Sequence, residues 1–191
     1  MKTHLLFLVL SATAAAQNVP TNLQVPAGHV LFMKTQAAGT QNYVCLPAAN
    51  GVAWTFHSPV ATLFADYRWL HAEIRQQTMT HFLSPNPMEG GMGRPTWQSS
   101  LDTSAVWARA IANSSDPAYV AANSIPWLLL QVTGVRQGMN GSSILAPVTY
   151  IQRIQTQGGV APSNGCTAAE HIGATAMAPY TTDYLFYRAA R

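Results

Sequence analysis

Two cysteines, Cys45 and Cys166, constrain this chain more than any other feature, because they are its only cysteines and lie far apart. A disulfide between them would close most of the chain into one loop and tie an early segment of the fold to a late one. On a chain-entropy account, closing so long a loop stabilises the folded state by up to about 4–5 kcal/mol. In an oxidising compartment the two cysteines are expected to pair with each other, with two free thiols or an intermolecular bridge as the alternatives.

The N-terminus indicates such a compartment. Lys2 is followed by an apolar run at residues 5–10, and residues 14–16 are all alanine. A positive residue, a short apolar run and a small-residue cleavage site are typical of a secretory signal peptide. We therefore expect residues 1–16 to be removed, leaving a soluble secreted protein of residues 17–191, extracellular or, in a Gram-negative source, periplasmic. A short buried helix is the alternative interpretation of the apolar run.

Composition favours one globular domain and argues against two classes of partner. Charged residues make up 9% of the chain and hydrophobic residues 48%, which is typical of a compact fold. The formal net charge is +3 and no basic run occurs, so we expect neither nucleic acid nor an anionic membrane surface as partner. No later apolar segment reaches the roughly 20 residues that span a bilayer. The oligomeric state stays open.

Short apolar or alternating segments bounded by Gly, Pro or Asn predict strands. They lie at residues 29–33, 41–46, 52–56, 125–132, 143–155 and 181–187. Their spacing predicts an all-β fold, a β-sandwich or jelly-roll-like barrel with short helices, and a mostly-β α+β fold is the alternative. Apolar residues recur every three or four positions at 61–79, where a helix competes with a strand and turn, and the Ala-rich residues 103–112 are a second helix candidate. The Pro- and Gly-rich residues 84–95 predict an irregular loop.

Histidine is the usual general base and the commonest metal ligand, so the histidines are the first candidates for chemistry. After the signal segment they are His29, His57, His71, His81 and His171. No two of them have the i, i+4 or His-x-His spacing of a metal motif. A soft copper site formed by His81 with Met79, Met88 and Met92 is an alternative, although methionine is more often a core residue. We expect no bound metal and no cofactor.

Other catalytic patterns have little support in the sequence. The G-x-S-x-G context of a nucleophile elbow is missing, and the seven acidic residues include no evident pair for glycoside cleavage. The enzyme that remains open is a hydrolase or metal-assisted enzyme that uses His81 as base or ligand.

Trp97 and Arg94 are the binding candidates. A tryptophan beside a Pro-rich segment can present a flat surface to a sugar ring or a partner, so Trp97 is the tryptophan that we expect to be partly exposed, although a tryptophan that seals the end of a barrel is the more common case. Arg153 interrupts an apolar strand and needs a carboxylate or carbonyl partner if it points inward. Asp183 is one candidate for that partner.

The order of short motifs along the chain resembles domain of unknown function 3455. The motifs are Val25-Pro26-Ala27-Gly28-His29, Tyr43-Val44-Cys45, Trp54, Ser58-Pro59, Thr80-His81-Phe82, Pro95-Thr96-Trp97, Ile125-Pro126-Trp127, Val148-Thr149-Tyr150-Ile151-Gln152-Arg153, Gly158-Gly159-Val160-Ala161-Pro162, Cys166 and Pro179-Tyr180-Thr181. Both cysteines lie within these motifs. The resemblance implies a secreted fungal or bacterial protein and carries no mechanism.

Some fungal members of that family carry a malate dehydrogenase label, which the residues here contradict. Dinucleotide binding needs a strand, a Gly-rich turn and a helix N-terminus. Gly90, Gly91 and Gly93 have the wrong spacing and lie in a Pro-rich segment, so we predict no nicotinamide cofactor. The family's usual Gly-Pro-Thr-Trp-Glu reads Arg94-Pro95-Thr96-Trp97-Gln98 here, and any chemistry that needs the acid is lacking.

The leading function hypothesis is a non-catalytic module that binds a cell-wall polysaccharide or another extracellular partner through Trp97, His81 and Arg94. A secreted enzyme that uses His81 is the alternative.

Two sequons, at Asn113 and Asn140, predict surface loops that carry N-linked glycans if the source glycosylates its proteins.

Overall fold

The computed structural model describes residues 18–69 and 72–191, so the expected signal segment and His71 lie outside the described residues. The strands are β1 (His29–Ala48), β2 (Gly51–Trp69), β3 (Ala72–Asn86), β4 (Met92–Ser99), β5 (Ala105–Ser114), β6 (Trp127–Arg136), β7 (Val148–Gly158) and β8 (Thr175–Ala189). In the described part of the chain, helix is limited to single 3-10 turns at Thr21–Leu23, Pro87–Glu89, Met139–Gly141 and Ala169–His171.

The eight strands form a closed antiparallel barrel. Each strand pairs with the next one along the chain, and β8 returns to pair with β1. The all-β prediction is therefore confirmed. The sandwich alternative is not confirmed, and the barrel corresponds only loosely to a jelly roll, because its strands follow sequence order without Greek-key crossings. Closure gives the first and last strands partners on both sides, which protects them from pairing with other chains.

The helix candidate at residues 61–79 is wrong, because this segment forms the end of β2 and the start of β3. Ala61 and Leu63 are buried, as the period of two in a strand requires. Tyr67 and Ile74, which completed the helical spacing, pair with each other where the β2–β3 hairpin extends beyond its pairing with β1 and β4, and both are exposed. Apolar residues in this extension therefore imitated a helical period.

Two further segments differ from the sequence prediction. Residues 103–112 lie mostly in β5, where Val106 and Ala108 join the barrel core. Residues 84–95 are a hairpin and not an irregular loop, since β3 runs to Asn86 and β4 begins at Met92. The glycines of this segment make the turn: Gly90 and Gly91 have φ angles of 63° and 85°, in the left-handed region that glycine reaches without strain.

Two apolar clusters stabilise the barrel. The interior is filled by side chains from most strands, among them Leu63, Met79, Ile151 and Phe186. A second cluster lies outside β6, β7 and β8, where Leu23 packs among Trp127, Leu129 and Leu185. Gln152 Nε2 donates a 2.6 Å hydrogen bond to the Leu23 carbonyl, so the segment that precedes β1 is fixed against the barrel wall.

The predicted disulfide between Cys45 and Cys166 is confirmed, with Cα atoms 5.5 Å apart. It attaches the loop of residues 159–174 to β1. The Cys45 amide donates to the Ala174 carbonyl over 2.8 Å, and Trp54 Nε1 donates to the Asn164 carbonyl over 2.9 Å. The loop is therefore fixed to β1 and β2 at one end of the barrel.

Gly39 provides a test of the packing at barrel closure. It lies in β1 opposite Ala61 of β2 and Tyr180 of β8, and a Cβ atom there would overlap the backbone of Val60 and Ala61. We expect Gly39→Ala to lower the free energy of unfolding by about 2–4 kcal/mol, as overpacking does when backbone must move. Gly93→Ala is the control, since its Cβ would make only ordinary contacts with Leu83. It should change stability by no more than about 0.5 kcal/mol in urea denaturation, and equal losses in the two variants would contradict this account.

Candidate functional site

A cavity of about 270 Å³ occupies the half of the barrel that carries the disulfide. Its aromatic lining consists of Tyr43, Phe56, Trp97 and Tyr184. Its aliphatic lining consists of Pro59, Pro95, Ile125, Pro126, Leu128 and Leu130. The remaining lining side chains are Gln41, His81 and Arg153. The cavity is therefore mainly apolar, with a few polar groups, which is the usual composition of a small-molecule site.

His81 is buried in the wall of this cavity, and its ring stacks on Trp97 with centroids 4.3 Å apart. Its Nδ1 lies 2.9 Å from the Thr96 carbonyl oxygen. A carbonyl can only accept, so Nδ1 carries the proton and Nε2 has the free lone pair. Burial above all, opposed by the Thr96 hydrogen bond and assisted by the charge of Arg153, lowers the pKa of His81 to about 3. His81 is therefore neutral at physiological pH.

Two buried tyrosines, Tyr184 in the lining and Tyr180 next to it, lie beside His81. The Tyr184 ring meets the His81 and Trp97 rings edge-on, each at a centroid distance of 5.4 Å. Its hydroxyl lies 3.5 Å from the Tyr180 hydroxyl. Burial raises the pKa of both phenols, and the Arg153 charge lowers them to a smaller extent. Both tyrosines are therefore uncharged hydrogen-bonding groups.

Arg153 brings the positive charge to the cavity. It lies in β7, opposite Tyr184 of β8 and Leu128 of β6. Its Nη2 donates a 2.8 Å hydrogen bond to the Pro126 carbonyl, so the carbonyl alternative of the sequence prediction is found. The proposed pairing with Asp183 is wrong, because that carboxylate forms a 2.8 Å ion pair with Lys34.

Three N–H donors on the lining residues are buried without a hydrogen-bond acceptor. They are Gln41 Nε2, Trp97 Nε1 and Arg153 Nε. The Gln41 amide lies close enough to the Tyr180 hydroxyl to lower the pKa of that phenol, but it forms no hydrogen bond of good geometry there. A buried donor without an acceptor costs about 1–3 kcal/mol, so three of them around one cavity call for an explanation.

Of the binding residues predicted from sequence, the structure brings His81 and Trp97 together and leaves Arg94 apart. The prediction that Trp97 is partly exposed is wrong, since its exposed fraction is 1%. Trp97 and Pro95 line the cavity, and the alternation of β4 directs Arg94 to the outer surface. There the Arg94 guanidinium forms a 2.7 Å ion pair with Glu89 and holds the pKa of that carboxyl at about 2.

The copper alternative is also contradicted by the geometry. Met88 and Met92 lie on the outer β3–β4 hairpin with exposed fractions of 71% and 54%, whereas His81 is inside the barrel. In residues 18–69 and 72–191, no group of three or more His, Cys, Asp and Glu side chains is arranged to hold a metal ion. His29 stacks edge-on with Tyr150, away from the cavity.

Gln41, Tyr43 and Tyr184 were missed by sequence reasoning, since each looks like an ordinary strand residue. They meet only because β8 returns to β1. Arg153 did carry a signal, as a lone charge in an apolar strand.

Of the two sequons, Asn113 is exposed at the end of β5, and Asn140 lies in the 3-10 turn Met139–Gly141.

Comparison with known proteins gives a family and no function. The family described as "Protein of unknown function (DUF3455)" matches residues 26–188. This chain belongs to that family. The match runs from just before β1 almost to the end of β8 and includes both cysteines and every cavity residue, so the DUF3455 domain is the barrel itself. No curated protein and no solved structure matches the chain.

Within residues 18–69 and 72–191, none of the helical segments has the length and apolar character needed to cross a bilayer.

The low pKa of His81 makes the stability of the domain depend on pH. The unfolded chain takes up a proton near the ordinary pKa of 6.5, whereas folded His81 does so only near 3. The contribution of His81 to the free energy of unfolding is therefore fully present well above pH 6.5 and is lost as the pH decreases toward 3. We expect the free energy of unfolding of the wild type to fall between about pH 7 and pH 5, by at most about 1.4 kcal/mol per pH unit from this group.

His81→Gln removes the titrating group and keeps an amide that can donate to the Thr96 carbonyl. Its denaturation free energies should fall less over the same pH range, even if the variant is less stable throughout. Parallel pH profiles for wild type and variant would contradict the assignment of a neutral, buried His81.

Proposed function

We propose that this DUF3455 domain is an exported protein that binds a small molecule in the barrel cavity without transforming it. The observation that supports this most strongly is the cavity, with its apolar walls and its few convergent polar groups. Cavities of this composition are the usual sites of small-molecule binding, and the mouths of β-barrels are one of their common places.

The size of the cavity restricts the ligand. About 270 Å³ is at or below the lower limit of drug-sized pockets, which are roughly 300–1,000 Å³. A molecule of about ten non-hydrogen atoms is therefore a better candidate than a polymer. Binding to a polysaccharide depended on an exposed Trp97, and the burial of that side chain removes the surface on which the hypothesis rested.

The enzyme alternative is less well supported than binding. A general base works best with a pKa near the operating pH, whereas His81 has a pKa of about 3. No Asp or Glu of the described residues lines the cavity to assist it. His81 is better suited to accept a hydrogen bond through Nε2 than to abstract a proton.

Export is supported by two independent features. Residues 1–16 have the composition of a signal peptide, and the Cys45–Cys166 disulfide is of a kind that persists in oxidising compartments. The proposed ligand is accordingly one that the protein meets outside the cytoplasm.

A cavity-filling variant tests the proposal. Calorimetric titration of the oxidised protein with octanoate, 1-octanol, phenylacetate and 2-phenylethanol should give one-to-one binding for at least one member of each matched pair. Leu128→Trp fills the space next to Arg153 and should weaken this binding by at least about tenfold, since a blocked pocket loses most of its buried contact area.

Ile111→Trp is the matched control, because Ile111 is exposed on β5 and does not line the cavity. It should bind as the wild type does. Thermal unfolding of both variants must show a folded domain. Failure of all four compounds to bind, or unchanged binding to folded Leu128→Trp, would contradict the proposed function.

A further inference from the structure

We propose that the ligand of this cavity is a small carboxylate with an apolar body, and that its carboxylate is bound by Arg153 together with the N–H donors of Gln41 and Trp97. This inference rests on the proposed function and adds the chemical class of the ligand. It is carried by three buried N–H donors without an acceptor on the lining residues and by the charge of Arg153.

The buried groups without a partner on the lining residues are all N–H donors, whereas His81 keeps a free lone pair on Nε2. Gln41 Nε2, Trp97 Nε1 and Arg153 Nε have no acceptor, and the exposed fractions of Gln41 and Trp97 are 3% and 1%. Native proteins satisfy nearly all buried polar groups, so orphan donors that share one cavity indicate an acceptor-rich partner. A carboxylate offers two oxygens with about four acceptor sites.

The charge of Arg153 has no counter-ion in the described residues. Asp183 is paired with Lys34, and Glu89 with Arg94. Tyr180 and Tyr184 cannot supply negative charge, because burial keeps both phenols protonated. A partly buried guanidinium without an anion is costly, and an anionic ligand would remove this cost on binding.

The charges of the lining side chains favour a monoanionic ligand over a phosphate. His81 is neutral, so it adds no second positive charge, and Arg153 is the single cationic side chain in the lining. Arginine binds carboxylates well because its planar N–H groups match their oxygens. The Arg153 Nε–H is free, whereas Nη2 is already held by the Pro126 carbonyl.

The body of the ligand is defined by the rest of the lining. Leu128, Leu130 and Ile125 offer aliphatic contacts, and Trp97 and Tyr184 offer aromatic ones. Burial of an apolar body against these residues contributes roughly 25 cal/mol per Å². Short fatty acids and arylacetic acids combine such a body with one carboxylate.

The experiment compares each carboxylate with its matched alcohol at pH 7.5 by calorimetric titration. The pairs are octanoate with 1-octanol and phenylacetate with 2-phenylethanol, which differ in head group and share the apolar body. We expect the wild type to bind the carboxylate at least about tenfold more tightly, the scale of hydrogen bonds to charged groups. Arg153→Met should abolish this preference and leave alcohol affinity within about threefold.

Arg109→Met is the charge-matched control, because Arg109 is exposed on β5 and does not line the cavity. It removes the same charge from the protein and should keep the full preference for the carboxylate. Gln41→Met, of similar volume, should weaken carboxylate binding several-fold without affecting the alcohol. If thermal unfolding shows that Arg153→Met does not fold, the affinities of Gln41→Met for carboxylate and alcohol test the inference in its place.

The outcomes separate this inference from the proposed function. Equal affinities for carboxylate and alcohol in the wild type would overturn the anion assignment and leave small-molecule binding intact. A preference that persists in folded Arg153→Met, or that is undiminished in Gln41→Met, would also overturn it. If neither member of either pair binds, both the inference and the proposed function fail.

Discussion

The pairing of β1 with β8 is the interaction on which the rest of the structure depends. It extends from His29 opposite Ala189 to Val44 opposite Thr175, and β1 pairs with β2 along its other edge. Without this seam the eight strands would be an open meander with no interior. Cys45 follows Val44 at the end of the seam, so the disulfide fixes closure at the end where the cavity lies.

Closure also creates an interior in which one part is apolar and the other carries polar and charged groups. Around Leu63, Ile151 and Phe186 the side chains are apolar and buried, and this part supplies the hydrophobic stabilisation of the barrel. Toward the disulfide, buried donors and the charge of Arg153 surround open space. Polar groups of this kind weaken the fold in the absence of a partner, which is the usual signature of a functional site within an otherwise consistent sequence.

The sequence predicted the features that depend on local chemistry. Cysteine pairing, β-rich character and family membership could all be recognised from residue types and motifs, and His81 was identified as a candidate. Between the helix and the strand-and-turn alternatives at residues 61–79, the structure has the strands. The helical spacing arose because apolar Tyr67 and Ile74 lie where the β2–β3 hairpin extends beyond β1 and β4, and a one-dimensional pattern cannot separate such an extension from one face of a helix.

The composition of the site could not be predicted, since it depends on which strands face each other across the interior. Trp97 was expected near the surface because it follows a Pro- and Gly-rich segment, but that segment is a tight hairpin and β4 directs the indole inward. Arg94, only three residues earlier, points outward to Glu89. Tyr184 lies opposite Arg153 in the β7–β8 pairing, and Gln41 joins them through the β1–β8 seam. Neither Gln41 nor Tyr184 carried a signal of its own.

The most direct test of this account is a crystal structure of the oxidised protein with phenylacetate at neutral pH. The account predicts the ligand inside the barrel, with a carboxylate oxygen about 3 Å from Arg153 Nε, the distance of a charge-assisted hydrogen bond. The phenyl ring should pack against Leu128 and Trp97. A carboxylate directed to solvent, or a ligand seated instead in the cavity of about 230 Å³ beside Met33 and Leu145 at the opposite end of the barrel, would contradict it.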